Sequence, residues 1–158
     1  MSPLDDFYDG KFEAVMPDSK PISASPSRVV IASGKVCVDL EKARDEENRD
    51  DVSLIRLEQL YPFPAEKIRA VLSQYPAGTP ICWVQEEPRN MGAWYFVKVK
   101  WDEYGLATKW PLSGVHRPES ASPSTGSKKS HRLEQDELIS AALGSVDSPS
   151  PKTTTASA

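Results

Sequence analysis

The sequence predicts an α/β fold, a three-layer sandwich in which helices cover both faces of a mainly parallel sheet. Short apolar runs alternate along the chain with stretches in which apolar residues recur at helical spacing, and this alternation is typical of parallel sheets. Most of the leucine, isoleucine, valine and phenylalanine residues lie between residues 28 and 117. That concentration predicts one core flanked by less apolar segments.

Residues 1–27 are predicted to be a connector from a preceding domain, because aspartates, a glycine and prolines interrupt any long periodicity. The apolar residues able to anchor this segment to another domain are Phe7, Tyr8, Phe12 and Val15. A loose N-terminal arm is an equally good interpretation of the same residues.

The first strand–helix unit follows the connector. Val29–Ala32 is a β-branched run and predicts a buried strand. Ser33-Gly34-Lys35 then predicts a tight turn. Helical spacing begins directly afterwards, with Val36, Leu40 and Ala43 on one face. The order strand, turn and helix is the first half of a parallel crossover unit.

Two further strands are predicted at residues 52–57 and 81–84, which are apolar runs bounded by polar or proline-containing turns. Between them, Pro64 suits a helix start, since proline is favoured at the first helical position. The apolar face of that helix comprises Ile68, Val71, Leu72 and Tyr75.

Residues 90–110 support two interpretations. Apolar and charged residues alternate from Val97 to Trp101, which indicates a strand. Helical spacing is present as well, in Trp94, Val97, Trp101 and Tyr104. The helix is favoured, because the run is long and two helix–strand units precede it.

The rest of the chain completes the predicted domain, which spans residues 28–143. A fourth strand is predicted at residues 112–115, and Ser130 is expected to cap a last helix. The apolar residues of that helix are Leu133, Leu138 and Leu143. Residues 144–158 are rich in serine, threonine and proline, a composition that predicts a disordered tail.

The composition argues against several classes of protein. A net charge of −4 disfavours a general nucleic-acid-binding protein. No apolar run approaches the roughly 20 residues that cross a bilayer, so no membrane partner is expected, and the first residues do not resemble a signal peptide. Cys37 and Cys82 lie in apolar surroundings, which disfavours a disulfide scaffold or a structural zinc site and fits a reducing compartment.

Candidate sites follow from the topology, because ligands of parallel sheets meet the carboxyl ends of the strands. The segments predicted there are 33–35, 58–64 and 85–94. Ser33, Gly34 and Lys35 lie between a strand and a helix, where backbone N–H groups and the lysine charge suit an anion. An ordinary tight turn with a solvated lysine is the more common role of so short a motif.

Adjacent carboxylates follow the third strand. Glu86 and Glu87 point to opposite faces if the strand continues, so they cannot act together as an acid–base pair. Salt bridges to Arg56, Arg89 or a partner chain are the expected role. Four tryptophans, Trp83, Trp94, Trp101 and Trp110, are more than a chain of this size is expected to bury alone, which favours an oligomeric or interdomain surface.

No catalytic residue and no metal ligand is nominated from the sequence. His116 and His131 have no cysteine, aspartate or histidine at metal-ligand spacing. No Ser/His/Asp set is apparent. Cys37 lies near a helix start, where a thiolate is favoured, but its valine neighbours indicate that it is packed.

Four ordered segments resemble the thiamine-diphosphate-dependent component of 2-oxoglutarate dehydrogenase. Residues 56–64, RLEQLYPFP, resemble that family's RIEQLYPFP, and residues 33–36 resemble the start of its SGKVYYDL. Residues 83–94, WVQEEPRNMGAW, resemble its WVQEEPKNQGAW, and residues 117–129 resemble its RPPSASPATGSKK. The resemblance covers about residues 4–143 and is specific, because four long motifs occur in the same order.

The resemblance implies a fold like the C-terminal domain of transketolase. It also implies that thiamine diphosphate and magnesium are held by earlier domains, through a GDG-type motif that this sequence lacks. The parent enzyme would catalyse oxidative decarboxylation of 2-oxoglutarate, with succinyl transfer to lipoamide, in the tricarboxylic acid cycle. The present chain is expected to be its C-terminal portion, to hold no cofactor and to be inactive alone.

Partners and location follow from the same resemblance. The implied partners are the remaining domains of the enzyme, a second copy in a homodimer, and the dihydrolipoamide succinyltransferase component. The implied location is the bacterial cytoplasm, or the mitochondrial matrix in a eukaryote. Glu86, Glu87 and Trp94 are the expected interface residues.

Regulation is the last implied property, since some relatives respond to acetyl-CoA or a nucleotide. An effector is expected at Ser33, Gly34 and Lys35, with Lys67 nearby. Cys37 and Val38 stand where the family has two tyrosines, which weakens that transfer. The alternative function is a stand-alone acyl-CoA-binding or nucleotide-binding module from a truncated gene.

Overall fold

The computed structural model describes residues 12–20, 23–122 and 128–144. Five strands form one sheet in the order β1-β3-β2-β4-β5. Their bounds are β1 (Val15–Met16), β2 (Arg28–Ala32), β3 (Val52–Leu57), β4 (Ile81–Pro88) and β5 (Leu112–Arg117). β1 pairs antiparallel with β3, and the other three pairings are parallel. The mainly parallel sheet is therefore confirmed.

In the described part of the chain, four helices surround the sheet, together with a short 3₁₀ turn at Leu106–Thr108. Their bounds are α1 (Val36–Glu46), α2 (Ala65–Leu72), α3 (Trp94–Glu103) and α4 (Lys128–Leu143). The helical interpretation of residues 90–110 is confirmed, and Gly105 ends that stretch of helix with a φ of 66°. The expected cap at Ser130 is wrong, because α4 already begins at Lys128. Leu138 and Leu143 are buried as expected, whereas Leu133 is exposed.

Both faces of the sheet are buried, which explains why its strands are continuous apolar runs. In β2, Val29 and Ile31 pack beneath α2 and α3, whereas Val30 and Ala32 pack beneath α1 and α4. Side chains alternate between the faces of a strand, so a single apolar run supplies both cores. Three layers result, as the sequence predicts.

All four tryptophans are buried within this chain. They belong to one core cluster beneath α2 and α3, and the indole Nε1 of Trp101 donates to the carbonyl oxygen of Trp110 at 2.9 Å. The expectation that the chain cannot bury four tryptophans alone is therefore wrong. Trp94 is already enclosed by its own domain.

The segment predicted as a connector contributes to the sheet. Ala14 and Val15 are buried, and Asp18 forms an ion pair with Arg44 in which the side chains are 6% and 3% exposed. The same Asp18 Oδ2 accepts a hydrogen bond from the backbone N–H of Leu54 at 2.6 Å. A connector role for residues 1–27 remains a prediction, and the predicted tail beyond Gly144 lies outside the described residues.

Candidate functional site

A groove of about 470 Å³ lies at the carboxyl edge of the sheet. Its lining comes from the turn after β2, the loop after β3, the end of β4 and the start of α3. The lining residues are Ser33, Leu60, Tyr61, Trp83, Val84, Gln85, Glu87, Gly92, Ala93 and Phe96. This is the edge at which parallel sheets receive ligands and partners, and it unites parts of all three candidate segments.

Gln85 holds the floor of the groove together. Its buried Oε1 accepts hydrogen bonds from the backbone N–H of Trp94 at 2.8 Å and from the Trp83 indole at 3.1 Å. Its Nε2 donates to the carbonyl oxygens of Met91 at 2.7 Å and Pro88 at 3.1 Å. These four bonds use the whole capacity of the amide. Gln85 therefore folds the loop after β4 back onto the strand and retains no hydrogen bond for a ligand.

Two glycines make this close packing feasible. Gly92 has a φ of 66°, and a Cβ there would lie 2.9 Å from Gln85 Nε2. A Cβ at Gly114, on β5, would lie 2.8 Å from the Trp94 ring. The sequence placed residues 85–94 at this edge but assigned no role to Gln85 or Gly92; the available signal was a polar residue directly after an apolar strand, followed by a glycine within the next turn.

An aromatic rim, formed by Tyr61, Phe63, Phe96 and Tyr104, borders the groove. Phe63 is buried and contacts Phe96 edge-on, with ring centroids 6.1 Å apart, while it stacks on Tyr104 at 5.8 Å. Tyr61, two residues before Phe63, is 82% exposed. Gln59 Nε2 donates to the carbonyl oxygen of Pro62 at 2.7 Å and so fixes the turn between them. The rim therefore presents aromatic surface to solvent.

The two neighbouring carboxylates point to opposite faces, as predicted. Glu86 Oε1 accepts a hydrogen bond from Gln135 Nε2, on α4, at 2.8 Å. Glu87 lies on the other face, where it lines the groove and is exposed. They cannot act on one bond.

The salt bridges expected within the chain are wrong. Arg56 Nη2 lies 2.7 Å from Glu58 Oε1, and Arg89 Nε lies 4.0 Å from Glu119 Oε1. Both guanidinium groups thus have other acidic partners. A role of Glu86 and Glu87 toward a partner chain remains a prediction.

The turn after β2 is less open to an anion than its sequence indicates. The N–H groups of Cys37 and Val38 donate to the carbonyl oxygens of Gly34 at 3.2 Å and Lys35 at 2.9 Å. Lys35 Nζ lies 2.5 Å from Asp39 Oδ2, and this hydrogen bond raises the pKa of Lys35. These backbone N–H donors and the Lys35 ammonium are therefore already paired at the start of α1.

Lys67 is not brought to that turn. It lies on α2, which packs on one face of the sheet, whereas Lys35 opens α1, which packs on the other. Ser33 faces the groove, and Lys35 does not line it. A single ligand contacting all four predicted effector residues would have to reach around the sheet edge.

No nucleophile or metal centre is assembled among the described residues. Burial raises the pKa of the Cys37 thiol to about 12, so the reactive thiolate is suppressed. His131 Nδ1 lies 3.0 Å from Arg117 Nη2, and the His116 ring lies 5.9 Å from that of Trp94. Within the described ranges, no three histidine, cysteine or acidic side chains gather as a metal site. None of the helices described is long and apolar enough to cross a membrane.

Comparisons with known proteins agree with the motifs. A family model described as "2-oxoglutarate dehydrogenase C-terminal" matches residues 1–143. The 2-oxoglutarate dehydrogenase E1 component of Cupriavidus necator is 43% identical over 147 residues, which cover 92% of this chain and 15% of the relative. That of Staphylococcus aureus (strain N315) is 38% identical over 141 residues, covering 89% and 15%. The chain thus spans about 15% of these curated relatives.

A solved structure shares the fold. It is described as a split-gene transketolase in an inactive β4 tetramer, and it superposes with a TM-score of 0.53 at 14% sequence identity. The match covers 85% of this chain and 44% of that chain. The predicted transketolase-like architecture is therefore confirmed.

Proposed function

The chain belongs to the 2-oxoglutarate dehydrogenase C-terminal family, and we propose that it is the last domain of a 2-oxoglutarate dehydrogenase. The observation that carries the proposal is the family match over residues 1–143. Because the chain spans only about 15% of its curated relatives, the activity belongs to the whole parent polypeptide. That activity is oxidative decarboxylation of 2-oxoglutarate with succinyl transfer to lipoamide.

The groove does not suit thiamine diphosphate. When bound, this cofactor supplies the carbanion that drives decarboxylation of a 2-oxo acid. Its diphosphate requires cations, a metal ion or exposed helix amides, whereas the groove has aromatic walls, a saturated glutamine and the carboxylate of Glu87. We therefore place the cofactor and its magnesium in the preceding domains, and no catalytic step is assigned to this chain.

The domain's own role is structural. It supports the parent's preceding domains and the homodimer, and the assembled enzyme delivers succinyl groups to the succinyltransferase component. Effector binding at the turn of Ser33, Gly34 and Lys35 is a secondary role of the same domain, without Lys67, which lies on a helix against the opposite face of the sheet. The ion pair with Asp39 partly offsets the Lys35 charge, which weakens the attraction expected for an anionic effector. The bacterial cytoplasm fits this assignment.

Two measurements test the proposal. An antibody raised against residues 28–117 should detect, in source cells, a polypeptide several times heavier than the 17.4 kDa of this chain. Thiamine diphosphate with magnesium should produce no heat of binding when titrated into the isolated chain. A native band at 17.4 kDa would overturn the assignment and favour a stand-alone acyl-CoA-binding or nucleotide-binding module. Micromolar cofactor binding would contradict the placement of the cofactor in the preceding domains.

A further inference from the structure

We propose that the aromatic edge, defined as Tyr61, Phe96, Tyr104 and the adjoining groove with Glu87, is the docking surface for the domain that precedes this chain in the parent polypeptide. The occupant inserts an apolar side chain into the groove and presents a lysine or arginine to Glu87. This inference rests on the proposed function and deepens it, because it names the contact through which the domain is held.

The first support is unpartnered apolar surface. Tyr61 is 82% and Tyr104 is 44% exposed, and Phe96 is half-buried beside them. Exposed apolar surface next to a groove marks interaction sites in otherwise polar proteins. Tyrosine is also among the residues that interfaces favour.

The second support is the path of the chain. β1 runs antiparallel to β3 with Val15 opposite Leu57, so residues 12–14 lie beside those that follow Leu57. The carbonyl oxygen of Ala14 accepts hydrogen bonds from the N–H groups of Glu58 at 3.0 Å and Gln59 at 3.2 Å. Residues 12–14 therefore lie at the carboxyl edge, at the end of the sheet where the loop carrying Tyr61 begins.

A preceding domain tethered at this edge needs only modest contact energy. A covalent tether raises the effective concentration of the two surfaces, so an apolar contact that would be weak between separate molecules is sustained. Phe12 lies at the point of entry and is 65% exposed, which extends the apolar surface toward the tether. The position of the tether favours the preceding domain over a second copy of this one.

The third support is charge. Glu87 is exposed at the groove and forms no ion pair with any residue in the part of the chain that the structure describes, whereas Glu58 nearby is neutralised by Arg56. A basic side chain from the occupant would pair with Glu87, and its guanidinium or ammonium would also lie against aromatic rings. The complementary surface is thus apolar and basic.

The hydrogen bonds disfavour a small polar ligand. Gln85 is saturated, and the Trp83 indole N–H is used by Gln85. A small-molecule site relies on a few placed polar groups for its specificity, whereas an apolar side chain of a protein partner requires none. The groove therefore suits a protein surface.

Hydroxyl-radical footprinting tests the proposal. Oxidation rates of Tyr61 and Tyr104 are measured by mass spectrometry in the isolated 158-residue chain and in the purified parent polypeptide. Both tyrosines should react several-fold more slowly in the parent. Leu133 is exposed on α4, which covers the opposite face of the sheet. Its oxidation rate should be equal in the two proteins, so it serves as the internal control.

A charge reversal tests the basic partner. Glu87→Lys in the parent should restore rapid oxidation of Tyr61, while the isolated variant should unfold at the same temperature as the unmodified chain. Glu46→Lys is the matched control, since Glu46 is exposed at the far end of α1 and its one ion pair among the described residues is with Lys42 at 3.7 Å. It should leave Tyr61 protected.

Each contrary result has a distinct meaning. A native polypeptide no heavier than 17.4 kDa overturns the proposed function and this inference together. A heavy polypeptide in which Tyr61 reacts as fast as in the isolated chain overturns this inference alone. Protection of Tyr61 that grows with the concentration of the isolated chain assigns the surface to a second copy, and an unaffected Glu87→Lys parent overturns the basic partner.

Discussion

The two edges of the sheet differ in how much apolar surface and unpaired charge they expose. At the amino edge, Arg49 forms a bidentate pair with Asp51 through distances of 2.6 and 2.9 Å, and also donates to the carbonyl oxygen of Leu143 at 3.1 Å. Arg28 donates to the carbonyl oxygens of Ala141 and Ala142, both at 3.1 Å. The end of α4 is thereby capped by two guanidinium groups, which also complement its dipole.

The carboxyl edge differs in exposing an apolar groove and a carboxylate that has no ion pair within the described part of the chain. Its groove is lined by aromatic side chains, and the Glu87 carboxylate has no ionic partner among the described residues. The charged groups of the amino edge therefore stabilise the fold, whereas the carboxyl edge leaves apolar surface and one carboxylate available for a partner. The contrast predicts that substitutions at the amino edge act on stability and those at the carboxyl edge on association.

Arg44→Ala should have the largest effect on the isolated chain. It would leave the buried Asp18 carboxylate without its cation, and breaking a buried pair costs about 3–5 kcal/mol. Urea unfolding followed by tryptophan fluorescence measures the loss. Lys42→Ala, which removes an exposed pair with Glu46 on the same helix, should cost less than about 0.5 kcal/mol. Equal losses for the two variants would show that the amino edge is not held by this buried pair.

Gly92→Ala should be the most destabilising change at the groove. Gly92 and Gly105 share a φ of 66°, but a Cβ meets Gln85 at 2.9 Å only at Gly92 and meets nothing within 4 Å at Gly105. Gly105→Ala should cost about 1–2 kcal/mol for the left-handed backbone. Gly92→Ala should cost a further amount of about 1–3 kcal/mol for overpacking. Equilibrium unfolding of both variants separates the two terms; equal costs would mean that Gln85 yields easily.

Local pattern and topology predicted much of this architecture. The strand at Val29–Ala32 could be predicted from the sequence because both of its faces are apolar. The parallel order of the strands then predicted that the candidate segments lie at one edge of the sheet. The pairing of Asp18 with Arg44 could not be predicted in this way, because it depends on where the chain returns. The local pattern of Gln85 and Gly92 indicated a turn, but the partners of the Gln85 amide depend on how the loop after β4 folds. The tryptophan inference failed because a residue count does not reveal that Trp94, Trp101 and Trp110 share one layer beneath the sheet.

The effector hypothesis can be tested by a pair of opposite substitutions. Lys35→Ala should weaken acetyl-CoA binding by about 1–3 kcal/mol, as loss of a charged hydrogen bond does. Asp39→Asn should strengthen it, because Asp39 holds Lys35 in an ion pair at 2.5 Å. Calorimetric titration measures both. An unmodified chain that binds no acetyl-CoA at millimolar concentration would remove the turn as an effector site.

Acid should weaken the amino edge through Asp51. Hydrogen bonds from Arg49 hold the pKa of Asp51 well below its usual range, so the folded state binds its proton more weakly than the unfolded state. This contribution to the free energy of unfolding is complete at neutral pH and declines as the pH falls below the ordinary aspartate pKa of about 3.9. Unfolding titrations between neutral and acid pH should show a steeper decline for the unmodified chain than for Asp51→Asn. Parallel declines would contradict the assignment.

Tyr61→Ala should have the smallest effect on the isolated chain and a clear one on the parent. The side chain is 82% exposed, and surface substitutions of this kind change stability by no more than about 0.5 kcal/mol. In the parent the same change removes an aromatic contact from the aromatic edge, so the preceding domain should separate at a lower temperature. Scanning calorimetry of both proteins measures the difference. Equal shifts of the unfolding temperature in the two proteins would contradict the proposed difference between the edges, because Tyr61 would then act within its own domain.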